Sequence, residues 1–296
     1  MKPIKETHIA YAYAKINLSL DILGTRPDGY HEVRMLMQSL SLCDTISLSV
    51  TGTPGLTMTC SDAGLPTDER NLAYRAAALF CRTYNITTGI ALHLEKQIPV
   101  AAGLAGGSSD AAAVLRGLNE MFGAPATKEE LASLGLTLGA DVPYCLMLGT
   151  ALSEGIGEKL TPLTAAPNCY CLLVKPEAGA STKQIYTEYD TMAAAETICH
   201  PDTDGILAAL EQGDYNGLTS RLCNVLEPVT TKLVPEIATI KETLKDLGAD
   251  GVLMSGSGPT VFALYTDKEK AQNAEEHFKQ TSYAPRTYLT TFYRPE

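Results

Sequence analysis

The stretch IPVAAGLAGGSSDAAAVLRGLNEMFG, from Ile98 to Gly123, sets Gly103, Gly106, Gly107 and the serines Ser108 and Ser109 directly ahead of an apolar-periodic segment. Ala111, Val114, Leu115, Leu118, Met121 and Phe122 fall on one face at helical spacing, so the spacing predicts a helix there. The preceding GIALHLE alternates, with Ile90, Leu92 and Leu94 on one side of a strand. A strand, a loop without Cβ crowding and a helix start make a ready anion site. Glycine lets backbone N–H groups approach the ligand, and a helix N-terminus adds unpaired donors and a dipole of about half a charge. The bland alternative is a tight loop that only lets the helix pack on its strand. Ser108 and Ser109 either cap the helix or offer hydroxyls to phosphate or magnesium. Two common phosphate motifs are absent: no lysine follows Gly107 as a P-loop requires, and there is no G-x-G-x-x-G.

The rest of the chain mixes strands and helices without regular βαβ alternation. HIAYAYAKINLSLDILG alternates: Ala12, Ala14, Ile16, Leu18, Leu20 and Ile22 lie on one face, with Lys15, Asn17, Ser19 and Asp21 on the other. This reads as a strand with one apolar face, on which a lone lysine is ordinarily solvated. RPDGYH reads as a turn, with Pro27 fixing φ and Gly29 free to take positive φ. By chemistry alone Tyr30 is then a hairpin tyrosine and His31 a solvated loop residue. VRMLMQSLSLCDTISLSV extends as a strand, ERNLAYRAAALFCRTY as a helix, and KEELASLGLTLG and ADVPYCLMLG as short helices. In the last of these, Asp141 reads as a helix N-cap with Pro143 in the first turn. ALSEGIGEKLTPL is a strand and turn. Small residues and prolines in TPLTAAPNC mark a boundary, giving domains over 1–163 and 164–296. Beyond it, YCLLVKP and RTYLTTFY read as strands, STKQIYTEYD, DGILAALEQGD, PEIATIKETLKDLGAD and KEKAQNAEEHF as helices, and GVLMSGSGPTVFALY as a glycine turn into a strand. The expected class is α+β in two domains.

Composition excludes several functions. The 296 residues carry a formal net charge of −11, which opposes a nucleic-acid partner yet leaves room for a local anion site. No apolar run reaches the ~18 residues of a membrane helix, and MKPIKETHIAYAYAKIN lacks the apolar core of a secretory signal. The eight cysteines form no CxxC pair, so reduced thiols and a cytoplasmic location are expected.

PVAAGLAGGSSDAA resembles the ATP-binding signature of the GHMP kinases, and LMSGSGPTVFALY resembles their C-terminal glycine motif. YAKINLSLDILGTRPDGYHEVRMLMQSLSLCDTI, LTLGADVPYCL and EGIGEKLTPL resemble one branch of that family, the branch acting on 4-diphosphocytidyl-2-C-methyl-D-erythritol. The resemblance implies an N-terminal domain like domain 2 of ribosomal protein S5 and a ferredoxin-like C-terminal domain. It implies transfer of the ATP γ-phosphate to the C2 hydroxyl, in the non-mevalonate route to isoprenoids, with Mg2+ expected. Other GHMP kinases fit less well because of DGYH after AKINLSLDILG. An inactive relative fits less well because Lys15, Asp141 and the glycine loop are all present.

Residue roles follow from the same resemblance. Lys15 and Asp141 would be the catalytic pair. The backbone of Pro99, Val100, Ala101, Ala102, Gly103, Leu104, Ala105, Gly106, Gly107, Ser108 and Ser109 would hold the ATP phosphates, with Ser108 also a metal contact. Asn17, Tyr30, His31, Thr182 and Tyr186 would bind the substrate, two aromatic rings flanking the cytosine and His31 bonding its edge. Gly256 and Gly258 would shape the chain rather than touch ATP.

Overall fold

A computed structural model describes residues 2–179, 181–195, 197–284 and 286–295. In chain order the elements are β1 (Thr7–Thr25), β2 (His31–Thr51), β3 (Leu56–Cys60), α1 (Leu72–Thr83), β4 (Gly89–Glu95), α2 (Gly106–Met121), α3 (Lys128–Leu136) and α4 (Val142–Met147). Then follow β5 (Thr150–Gly155), β6 (Lys159–Pro162), β7 (Tyr170–Lys175), α5 (Thr182–Ala195), α6 (Thr203–Gln212), α7 (Tyr215–Thr219), β8 (Cys223–Asn224) and α8 (Glu227–Leu233). The chain closes with α9 (Glu236–Asp246), β9 (Gly251–Met254), β10 (Val261–Tyr265), α10 (Lys268–Lys279) and β11 (Arg286–Thr291). Two compact units form, one from Met1–Ala14, Leu42–Val100 and Ala105–Leu148, the other from Lys15–Ser41, Ala101–Leu104 and Gly149–Glu296.

In the first unit, β4 runs antiparallel to the end of β2 and parallel to β3. Its alternation resolves as read: Ile90, Leu92 and Leu94 are buried with Ile46 and Leu48 of β2. Helix α1 starts at Asn71, whose side chain accepts from the Ala73 N–H at 2.9 Å, and buries Ala73, Ala76, Ala77 and Phe80. Helix α2 is buried nearly all round from Ala111 to Leu115, which explains its run of small residues. Helix α3 starts in a capping box between Thr127 and Glu130.

The second unit holds a four-stranded antiparallel sheet ordered β11-β7-β10-β9. Numbered by appearance this is 4-1-3-2, with helices between the first and second and between the third and fourth strands, the ferredoxin-like arrangement. In the same unit β2 pairs with β5, β5 turns back onto β6, and Ser19 and Leu20 of β1 pair in parallel with β8. The segment read as a strand and turn is therefore a two-stranded hairpin. The polar side of β1 departs from expectation. Lys15, Asn17, Ser19 and Asp21 are all buried, because this part of the strand is covered on both faces. Among the described residues no helix is long and apolar enough to cross a membrane.

Candidate active site

The glycine loop bends through three left-handed residues, Ala101 (φ 51°), Gly103 (φ 74°) and Ala105 (φ 56°). A left-handed residue between right-handed ones turns successive amides toward one side, as in anion-binding nests. Helix α2 begins inside the glycine-serine run. Its N-cap is Ala105, which has no side chain able to cap, so the terminus carries no side-chain capping bond. Alanine there forgoes roughly 0.5–2 kcal/mol that Ser, Thr, Asn or Asp would supply. The amides of Gly106, Gly107 and Ser108 lie in the first turn, where a helix offers no backbone acceptor.

The two serines differ. Ser109 is buried; its hydroxyl donates to the Tyr13 carbonyl and its N–H to the Ala105 carbonyl at 2.9 Å. Ser108 is half-buried, and its Oγ lies 3.8 Å from the place a Cβ on Gly139 would take. Gly139 stands in the turn that leads to Asp141, so the first unit brings Ser108 close to that turn.

Asp141 occupies the N-cap position of α4, yet its side chain makes no capping bond. The Cys145 N–H donates to its backbone carbonyl at 3.0 Å, and Arg116 of α2 secures the helix by donating to the Cys145 carbonyl at 2.6 Å. The cap reading thus holds for the backbone and not for the carboxylate.

Beneath the loop lies a cluster that sequence reading missed. The Lys96 ammonium bonds Asp44 and, at 3.0 Å, Asp110. Asp44 also accepts from the Ile98 N–H at 2.8 Å. Burial works against the Lys96 charge, but Asp110 and Asp44 beside it raise its pKa above the usual value. Burial pushes the Asp110 carboxyl up to about 8; Lys96 opposes this and Asp44 reinforces it. Residues so far apart along the chain give no local signal, although an aspartate opening an alanine-rich buried helix is itself unusual.

In the second unit, the Lys15 ammonium donates to Asn17 Oδ1 at 2.7 Å, and the Lys15 N–H to the Leu104 carbonyl at 3.1 Å. Lys15 is 5% exposed and Asn17 0%, so the lysine is held in place and is not the solvated strand lysine of the bland reading. The Asn17 amide Nδ2 faces Met35 Sδ at 3.4 Å. Ser255, in the C-terminal glycine motif, donates its hydroxyl to the Gly103 carbonyl at 3.0 Å. The unit therefore gathers Lys15, Asn17, Gly103, Leu104 and Ser255.

Thr182, at the start of α5, joins the same glycine turn through Ser257, hydroxyl to hydroxyl at 2.9 Å. His31 and Tyr186 meet with ring centroids 4.9 Å apart, and His31 Nε2 lies 2.8 Å from Asp190 Oδ1. His31 is thus a packed, paired side chain. Tyr30 is 59% exposed in the turn that Gly29 closes at φ 84°. Pro99 and Val100 belong to the first unit with Ala105–Ser109, and Ala102 to the second with Gly103 and Leu104. Among the described residues no group of three or more His, Cys, Asp or Glu side chains could hold a metal.

Family comparisons match this arrangement. The GHMP kinases N terminal domain matches residues 71–149, and the GHMP kinases C terminal domain matches residues 196–284. Solved structures of a homoserine kinase from Cytophaga hutchinsonii (TM-score 0.76, 21% identity, 99% of this chain and 96% of that one) and of an L. major mevalonate kinase (0.78, 19%, 98% of each) share the fold. So does a 4-(cytidine 5'-diphospho)-2C-methyl-D-erythritol kinase structure, at TM-score 0.82 and 34% identity over 97% of this chain and 100% of that one. A Lachnoclostridium phytofermentans 4-diphosphocytidyl-2-C-methyl-D-erythritol kinase is 52% identical over 95% of this chain and 96% of its own. A Geobacillus protein of the same name is 49% identical over 88% and 89%. The chain is a GHMP kinase by fold and by family, and within that class it belongs to the 4-diphosphocytidyl-2-C-methyl-D-erythritol kinase family.

Proposed function

We propose that the chain transfers the γ-phosphate of ATP to the C2 hydroxyl of 4-diphosphocytidyl-2-C-methyl-D-erythritol, giving the 2-phosphate and ADP for isoprenoid precursor synthesis. The 52% identity across 95% of the chain carries this reading. We read residues 1–163 as the ATP-binding catalytic domain, 164–296 as the GHMP C-terminal domain, and the enzyme as cytoplasmic.

Phosphoryl transfer asks a protein mainly for positioning and charge stabilisation. The amides of Gly106, Gly107 and Ser108, in the place of the missing cap on α2, bind the ATP phosphates, and the loop from Pro99 to Ala105 brings them to one side. Asn17 fixes the Lys15 ammonium, which lowers the pKa of the substrate hydroxyl and steadies the transferring phosphoryl group. Asp141 orients that hydroxyl and accepts its proton. The proton passes to the carboxylate as the oxygen bonds to phosphorus, and ADP leaves with the electron pair of the broken P–O bond. Ser108, a half-buried hard oxygen donor, is the residue that would hold a Mg2+ ion. Such an ion would supply positive charge to offset that of the phosphates. Tyr30, Tyr186 and His31 hold the cytosine, with Thr182 nearby.

The test is ADP release with the cytidyl substrate beside homoserine, galactose and mevalonate. Turnover with the cytidyl compound alone is expected. Turnover only with one of the other three overturns the reading.

A further inference from the structure

The contacts of His31 go further than base binding. Tyr186 and Asp190 are four apart on α5, so they share a helix face. Both touch His31: the Tyr186 ring packs at 4.9 Å with a 44° tilt, and Asp190 Oδ1 sits 2.8 Å from Nε2. The His31 side chain is 11% exposed, so the ring is held on two sides and has little freedom to flip. A carboxylate accepts and does not donate, so Nε2 carries the hydrogen of this bond. In the neutral imidazole that makes Nδ1 the acceptor.

An acceptor on the base-binding side chain distinguishes pyrimidines. Cytosine presents an amino donor at its 4-position. Uracil presents a carbonyl there, and two lone pairs would face each other. We infer that Asp190 is a positioning residue that sets the His31 tautomer and thereby gives the site its preference for a 4-amino over a 4-oxo pyrimidine. The inference rests on the assignment of His31 to the base. A site built to hydrogen-bond one polar group rejects the analogue lacking it, because a buried partner is left unpaired.

The test uses the full chain with 15N-labelled histidine, and kcat/KM for the cytidyl substrate and its uridyl analogue. In the wild type, ring 15N shifts are expected to show hydrogen on Nε2 and a bare Nδ1. Asp190→Ala is expected to mix the tautomers and to shrink the cytidyl-to-uridyl ratio by at least ~10-fold. Its change is expected in KM for the nucleotidyl substrate, with KM for ATP unmoved. Asp190→Asn, whose amide oxygen still accepts from Nε2, is expected to retain most of the ratio. Asp190 is half exposed, so neither variant strains the fold. An unchanged ratio and tautomer in Asp190→Ala would overturn the inference, as would a doubly protonated His31 in the wild type. A wild type that uses neither pyrimidine substrate overturns the functional reading together with this one; discrimination that survives in Asp190→Ala overturns this one alone.

Discussion

Gly103 and Ser255 approach each other backbone to backbone, 152 positions apart in the chain. The Ser255 hydroxyl bonds the Gly103 carbonyl, and a Cβ on Gly103 would stand 2.2 Å from the Ser255 carbonyl oxygen. Gly103 also holds φ at +74°, so both space and backbone require glycine. Gly103→Ala is expected to destabilise the protein by about 3 kcal/mol or more, through left-handed strain and forced displacement of the 255 segment. Ser255→Ala, which removes the bond to the Gly103 carbonyl and the longer one from the Asn17 N–H, should cost only about 1–2 kcal/mol. Denaturant titration compares them; equal losses would show that the contact does not hold the loop.

Gly106 tests the phosphate loop itself. A Cβ there would meet Ile98 Cγ2 at 3.1 Å and Lys96 Nζ at 3.4 Å, and valine adds branches beside amides assigned to phosphate. Gly106→Val should weaken ATP binding at least tenfold, about 1.4 kcal/mol. Calorimetry giving unchanged affinity in a folded variant would assign the loop to packing alone.

The buried cluster gives a pH signature. The Asp110 carboxyl is raised from 3.8 to about 8, chiefly by burial. Between those values the folded protein holds a proton the unfolded chain has released. The stability tied to this group is therefore full below the unfolded value and is lost as pH rises through about 8. Asp110→Asn removes this dependence while keeping an acceptor for Lys96. Its Tm should exceed the wild type by about 3 °C or more at pH 8, with a smaller gap at pH 5. A gap that does not grow with pH would contradict the assignment.

Much of this architecture was legible because local chemistry decides it. Period-2 alternation located β1 and β4, and the glycine run located the start of α2. What lay outside the sequence was long-range. Alternation identifies an apolar face but not whether the polar face is also covered, so the burial of Lys15 and Asn17 was invisible. Asp44, Lys96 and Asp110 become partners only when β2, β4 and α2 assemble. The short elements β3, α7, β8 and α8 are too brief to carry a period. In the candidate site the family resemblance pointed to Lys15, Asp141 and His31, while Asp190 and Ser255 emerged only as contacts.

Asp141 separates catalysis from capping. Its carboxylate makes no capping bond, so Asp141→Asn removes charge without removing a cap. Unchanged Tm and ATP affinity are expected, with kcat down at least ~100-fold, as for loss of a general base. A near wild-type kcat would shift the chemistry away from Asp141 and onto Lys15.

The central claim is which oxygen receives the phosphate. Phosphorus and carbon NMR of a reaction with ATP and 4-diphosphocytidyl-2-C-methyl-D-erythritol tests it most directly. The account predicts one new phosphomonoester signal coupled to C2 of the methylerythritol, formed in step with ADP and with the cytidine diphosphate intact. A phosphate on another hydroxyl, or ATP consumed with the cytidyl compound unchanged, would contradict it.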